Sequence, residues 1–155
     1  MSYLTGEFEC KLDNKGRMTI PAVLKKKLPE AESEGLVIHR GLKKYLVIYT
    51  KQQWDKKLDE LSKLNEYDKN SLEFVRYFMR GSTELTLDSA GRVNLPQMLL
   101  DYAGIKSDVV LTCLLNKIEV WDKAAYQAML ENEPVDFATL AEEVMGSKRK
   151  EVGNG

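Results

Sequence analysis

The chain reads as an α+β protein made of two halves related by a pseudo-two-fold. Three observations lead there. A thirteen-residue segment occurs twice, as Leu12–Leu24 (LDNKGRMTIPAVL) and Leu87–Leu99 (LDSAGRVNLPQML). Each occurrence sits in the same succession of strand, tight turn, strand, short helix, strand, turn, strand and helix. The length of 155 residues, 43% of them hydrophobic and 30% charged, suits one compact domain or two small halves packed together.

Six of the thirteen positions are identical: Leu, Asp, Gly, Arg, Pro and Leu. The likeness continues downstream, where Tyr45–Tyr49 corresponds to Lys117–Trp121. The offset is 75 residues early and 72 later, so the first copy holds three extra residues, placed in the Pro29–Gly35 loop. In the first copy, Gly6–Leu12 alternates as a strand. Asp13-Asn14-Lys15-Gly16 is a turn, with Asp at its first position and Gly where a positive φ is needed. Arg17–Ile20 returns as a strand. Pro21 opens a helix to about Leu28, at a position where a missing N–H is harmless. The second copy repeats this, with Pro96 opening the helix and Gly104 closing it. Leu36–His39 and Tyr45–Tyr49 are strands around an Arg40–Lys44 hairpin loop, matched by Val109–Leu114 and Lys117–Trp121.

Thr50 and Asp122 are N-cap residues. Trp54, Leu58, Leu61 and Leu64 recur at helical spacing, and Asn65–Asn70 breaks that helix. Leu72, Val75, Phe78 and Met79 form the stripe of another, better suited to a core or subunit interface than to a cofactor. Asp136 caps a short last helix with Phe137, Leu140 and Val144 inward, and a polar, disordered tail is expected from Gly146. The expected organisation is therefore a first half at 1–52, linking helices at 53–80, a second half at 81–130, and a C-terminal helix and tail at 131–155.

Composition narrows the chemistry. The longest apolar run, Val109–Leu115, is interrupted by Thr112 and is far too short to span a membrane. The N-terminal residues lack a basic region followed by an apolar stretch, so the expected location is the cytoplasm. Cys10 and Cys113 have no Cys or His at metal-ligand spacing, and they read as buried free thiols. With His39 the single histidine and no nucleophile motif, no catalytic constellation can be assembled. No enzyme activity, metal, cofactor or small-molecule substrate is expected. The net charge of −1 speaks against a nucleic-acid binder. Its distribution is uneven, with +4 over residues 1–52 and −5 over the remainder. A basic face on an acidic body is one reading of that asymmetry; an ordinary solvated face is the other.

The doubled turn is the feature to explain. Asp-x-x-Gly is what a tight turn requires, and this accounts for Asp13, Gly16, Asp88 and Gly91 without any function. It does not require an Arg directly after the Gly in both copies, nor Lys15 at the exposed position. An exposed Asp–Arg pair contributes at most about 1 kcal/mol, a weak reason for keeping it. As a device it makes sense: the carboxylate orients the guanidinium fork, which then meets phosphate or the O6/N7 edge of guanine.

These paired segments, Leu12–Arg17 and Leu87–Arg92, resemble the doubled D-x-x-x-R motifs of the MraZ family, within the AbrB/SpoVT-like swapped-hairpin group. Tyr3–Phe8, Asp101–Ile105 and Ile118–Asp122 are similar to it as well, so the resemblance covers roughly residues 3–130. It implies two AbrB-like β-barrel halves with flanking helices. It also implies a cytoplasmic, nucleoid-associated transcriptional regulator that binds duplex DNA at short G-rich direct repeats. The repeats would lie upstream of a division and cell-wall gene cluster that begins with its own gene, where it would act as a repressor or regulator. A ring-shaped homo-oligomer is implied, with no membrane partner. Carried onto this sequence, the DNA-contacting residues are Arg17 and Arg92 with Lys15 and Asn14, positioned by Asp13, Gly16, Asp88 and Gly91. A protein-interaction module on the same barrel, antitoxin-like or an assembly factor, using the Leu72–Met79 stripe, is the alternative. Ser89-Ala90 lacks the cation of the first turn, and Leu100 stands where relatives often carry a basic residue. The second copy is therefore expected to contact DNA less, or to serve mainly in completing the barrel and ring.

Overall fold

The computed structural model describes residues 3–132 and 136–153, with side chains through residue 146. In chain order the elements are β1 (Glu7–Lys11), β2 (Arg17–Thr19), α1 (Ala22–Lys26), α2 (Ala31–Glu34), β3 (Leu36–Arg40), β4 (Leu46–Thr50), α3 (Lys51–Ser62) and α4 (Lys69–Met79). There follow β5 (Thr83–Leu85), β6 (Arg92–Asn94), α5 (Gln97–Ala103), β7 (Asp108–Leu114), β8 (Lys117–Asp122), α6 (Lys123–Glu131) and α7 (Phe137–Gly153). The chain divides into two compact units, Met1–Lys123 and Ala124–Gly155.

The larger unit is mixed α+β. Six strands form one antiparallel sheet in the order β1-β7-β8-β4-β3-β5, and β2 pairs with β6 as a separate two-stranded ribbon. The pairing crosses between the copies. β1 of the first copy pairs with β7 of the second, and β5 of the second pairs with β3 of the first. Exchanging the two copies maps this order onto itself: Cys10 opposite Val109 becomes Leu85 opposite Leu36, and Leu46 opposite Val120 becomes Ile48 opposite Ile118. Strands β1 and β5 end the sheet without pairing to one another, so among the described residues there is no closed barrel. The barrel halves expected from the resemblance are corrected to this open sheet with its ribbon. Eight short strands supply two separate ladders here, and neither closes on itself.

Burial follows from the patterns of the strands. The cores of β3 (LVIH) and β4 (LVIY) are buried on both faces, as continuous apolar central strands are. One face, carrying Leu36, Ile38, Leu46 and Ile48, joins the main core. That core also takes Met18, Ile20, Val93 and Leu95 from the ribbon segments and Leu24, Leu99, Leu100 and Ala103 from α1 and α5. The opposite face, with Val37, Val47 and Tyr49, is covered by Trp54 and Leu58 of α3 and by Phe78 and Met79 of α4. The Leu72–Met79 stripe is thus core at its C-terminal end, while Leu72 at the other end is exposed. Edge strand β1 alternates exposed and half-buried residues.

The start and stop signals largely lie where the residue types put them. Thr50 Oγ1 accepts from Gln53 N at 3.2 Å and caps α3, and Gly104 ends α5 in the left-handed conformation (φ 66°). Within the smaller unit, Asp136 caps α7 by accepting from Thr139 N. Three expectations are corrected. The Pro29–Gly35 segment is not a plain loop but contains α2, anchored by buried Ala31, and the strand register leaves only two of the three extra residues there, the third falling in the hairpin between β3 and β4. The last helix does not give way to a tail at Gly146 but continues to Gly153, through a stretch rich in strong helix formers; residues 154–155 of that expected tail lie outside the described residues. Phe137, Leu140 and Val144 on α7 are exposed rather than inward. Cys10 and Cys113 are free and half-buried, and burial pushes both thiols above the usual range.

Candidate nucleic-acid interface

Each motif turn is built around one carboxylate. Asp13 Oδ1 accepts from the backbone N–H groups of Lys15 and Arg17, both at 2.9 Å, and Oδ2 accepts from Arg17 Nε at 2.7 Å. The turn closes through Gly16 N donating to Asp13 O at 3.1 Å, with Gly16 at φ 78°. The second copy repeats the arrangement. Asp88 Oδ1 accepts from Ala90 N and Arg92 N at 2.9 Å, and Oδ2 accepts from Arg92 Nε at 2.8 Å, with Gly91 at φ 75°. The Arg17 backbone N–H and the other donors around Asp13 lower its pKa to about 2, and Asp88 is lowered for the same reasons, the Arg92 backbone first. Both carboxylates are therefore ionised at neutral pH. Each holds its arginine through Nε, so the terminal guanidinium nitrogens remain open to another acceptor.

The ribbon puts the two arginines on one face. Arg17 lies opposite Asn94 and Thr19 opposite Arg92, while Met18 pairs with Val93 between them. Met18 and Val93 are fully buried, so Arg17, Thr19, Arg92 and Asn94 together form the outer face. Arg17 and Arg92 are diagonal neighbours there, roughly 7–8 Å apart at the backbone. The turns are also locked across the copies: Leu95 N donates to Gly16 O at 2.9 Å, and Ile20 N donates to Gly91 O at 3.0 Å. Asn14 and Lys15 project from the first turn as exposed residues, and Ser89 and Ala90 occupy the same places in the second.

All eight residues singled out from the sequence therefore fall on the two turns and the ribbon. Thr19 and Asn94 were missed. Period-two alternation from Arg17 and Arg92 was the signal that could have found them, since buried Met18 and Val93 fix which neighbours face outward. His39 is no ligand. It is 3% exposed beneath α3 and α4, its ring 4.5 Å from Phe78 and 5.2 Å from Trp54 between centroids. Among the described residues no group of His, Cys, Asp and Glu could hold a metal ion, and no helix is long and apolar enough to cross a membrane.

Comparison with known proteins gives the same direction. The family described as "MraZ protein, putative antitoxin-like" matches residues 3–76 and 78–147, one stretch around each motif. A protein named Transcriptional regulator MraZ from Christiangramia forsetii is 38% identical over 148 residues, covering 95% of this chain and 96% of its own. The protein of that name from Flavobacterium psychrophilum is 38% identical over 148 residues, covering 95% and 94%. The one from Cytophaga hutchinsonii is 35% identical over 151 residues, covering 97% and 100%. These relatives bear the name of a regulator, and the family is not one of enzymes. With matches along nearly its whole length, the chain belongs to the MraZ family.

Proposed function

We propose that this protein is a DNA-binding transcriptional regulator that reads duplex DNA with the outer face of the β2·β6 ribbon. One observation carries this reading: two arginines, each held by an ionised aspartate through Nε, share a single solvent-facing ribbon surface. A two-stranded ribbon fits the major groove, and the free edge of a guanidinium matches guanine O6 and N7. Arg17 and Arg92 make the base contacts, Lys15 and Asn14 approach the backbone, and Asp13, Gly16, Asp88 and Gly91 hold the geometry. The arginine chemistry suits a G-rich site. The resemblance to the MraZ family implies that this site is a set of short direct repeats upstream of a division and cell-wall gene cluster that begins with its own gene, where the protein acts on the nucleoid as a repressor or regulator. The crossed pairing of the copies suits a swapped-hairpin arrangement, in which one chain imitates a dimer, divided as 1–52, 53–80, 81–130 and 131–155. The net charge of −1 gives one chain little net attraction to DNA. A ring of several copies on consecutive repeats would gain affinity through effective concentration.

The test is a fluorescence anisotropy titration on the DNA upstream of its own gene, with size-exclusion chromatography alongside. Arg17→Ala should weaken specific binding by about 10- to 100-fold, as expected for one bidentate base contact, with the elution volume unchanged. The affinity of the parent should fall steeply with salt as phosphate contacts release counterions. Unchanged affinity in Arg17→Ala overturns the reading, and loss of the oligomer instead makes Arg17 a structural residue. A protein-interaction role is the second reading, favoured by the exposed Leu72, Phe74 and Tyr77 on α4. Free migration of the upstream DNA would select it.

A further inference from the structure

The first motif turn contains a cation, Lys15, where the second has the uncharged Ala90. The fold compensates for that difference. Because the copies interlock, the helix after β2 lies against the turn before β6. Lys25, near the end of α1, reaches over Gly91: a Cβ placed on that glycine would be 3.5 Å from Lys25 Nζ and 3.9 Å from its Cδ. The symmetry-related position is Leu100 on α5, which lies over Gly16, its Cδ1 3.7 Å from the corresponding Cβ position. Leu100 is 3% exposed and belongs to the core, whereas the Lys25 side chain is 34% exposed. Each turn thus has one lysine beside it. The first turn carries its own, and the second receives its lysine from the other copy.

Lys25 is not idle in this state. Its Nζ stands 2.7 Å from Glu32 Oε1, and the ammonium holds the Glu32 carboxyl below its usual range. Glu32 belongs to α2, inside the segment where the first copy has two of its three extra residues. Glu32 is largely exposed and brings a negative charge to the edge of the ribbon face. A phosphate approaching Lys25 has to replace that carboxylate.

We propose that Lys25 is the phosphate-contacting cation of the second motif, completing in trans the half-site of Arg92, and that Glu32 competes with DNA for it. The proposal rests on the ribbon face being the DNA-binding surface. It assigns a role to a residue outside either motif, and it makes the second half-site stronger than Ser89-Ala90 alone would allow. It also makes Glu32 a built-in brake on affinity, strongest at low salt where a surface pair is least screened.

The experiment is an anisotropy titration of the full chain against DNA upstream of its own gene and against a scrambled duplex, at several salt concentrations. Lys25→Met keeps the apolar stem over Gly91 and removes only the charge. Lys26→Met, an exposed neighbour on the same helix, controls for net charge. Lys25→Met should weaken binding to both duplexes by about three- to tenfold more than Lys26→Met, and lower the salt slope by about 1. Lys25→Arg should restore most of the loss. Combined with Arg92→Ala, the effect should be less than multiplicative, and combined with Arg17→Ala it should be multiplicative. Glu32→Gln should tighten binding at low salt. Equal behaviour of the Lys25 and Lys26 variants, or weaker binding by Glu32→Gln, overturns the proposal. If Arg17→Ala and Arg92→Ala also bind like the parent, the ribbon reading itself has failed, which is a separate outcome.

Discussion

Replacing His39 by Phe tests how the sheet is covered. The imidazole lies under α3 and α4, 3% exposed and stacked on Tyr49 at 5.5 Å between ring centroids, and among the described residues no partner meets good hydrogen-bond geometry at either nitrogen. Burial lowers its pKa from 6.5 to about 4; the nearby Arg40 backbone pulls the other way, and Lys117 and Lys57 add repulsion. The native state therefore holds a neutral ring between pH 6.5 and 4, while the unfolded chain takes up a proton. Folding stability must then rise with pH across that window, and acidification removes it. One pKa unit corresponds to about 1.4 kcal/mol, so the loss on going from pH 7.5 to 4.5 is about 2.5 kcal/mol, a large part of a domain's stability. Phe fits the aromatic surroundings and has nothing to protonate. His39→Phe should lie within about 1.5 kcal/mol of the parent at pH 7.5 and gain about 2.5 kcal/mol on it by pH 4.5. The assay is urea unfolding followed by tryptophan fluorescence at fixed protein concentration, since any assembly makes stability concentration-dependent. Because the chain has one histidine, an NMR titration reads the same group directly. Parallel pH profiles for parent and variant, or a titration midpoint near 6.5 in the folded protein, would refute the reasoning.

Further expectations concern the turns and one close approach. In Asp13→Asn the side-chain oxygen can still accept from the Lys15 and Arg17 backbone, but an amide now faces Arg17 Nε where Oδ2 accepted. The circular dichroism spectrum should be retained while specific DNA affinity falls, by less than in Arg17→Ala; equal affinity would show that orientation of the guanidinium is unimportant. The Asp13 carboxyl is depressed to about 2, so its contribution to stability is complete above about pH 4 and is lost only as the pH falls through 2. No transition in binding between pH 5 and 8 should trace to it. Gly35, between α2 and β3, has φ 76° and ψ −169°, and a Cβ there would come within 2.5 Å of Leu85 O on the neighbouring strand. Gly35→Ala should lower stability by at least about 2 kcal/mol in chemical denaturation, and a change under about 0.5 kcal/mol would refute the clash.

Much of the local structure was legible from residue types. Asp13 and Gly16, with their counterparts Asp88 and Gly91, specify the turns because only short-range geometry is involved. Thr50 and Gly104 bound their helices for the same reason. The two-faced burial of Leu36–His39 and Leu46–Tyr49 was foreshadowed by their continuous apolar runs. The α2 turn was not legible, since nothing in Ala-Glu-Ser-Glu identifies Ala31 as an anchor until the core it fills exists.

Which strand neighbours which was decided only in three dimensions. A strand, a tight turn and a strand read as a hairpin, yet β1 and β2 are joined only by the Leu12–Met18 bridge; β1 pairs with β7 and β2 with β6. Alternation tells which side of a strand is buried, whereas the choice of partner depends on contacts about a hundred residues away and on which register buries both apolar sets at once. The duplication, the turns and the two arginines that follow them were determined by the sequence by itself. The interlocking of the copies, which sets Arg17 beside Arg92 and lays Lys25 over Gly91, was the work of the tertiary structure, because only packing brings residues so distant in the chain onto one face.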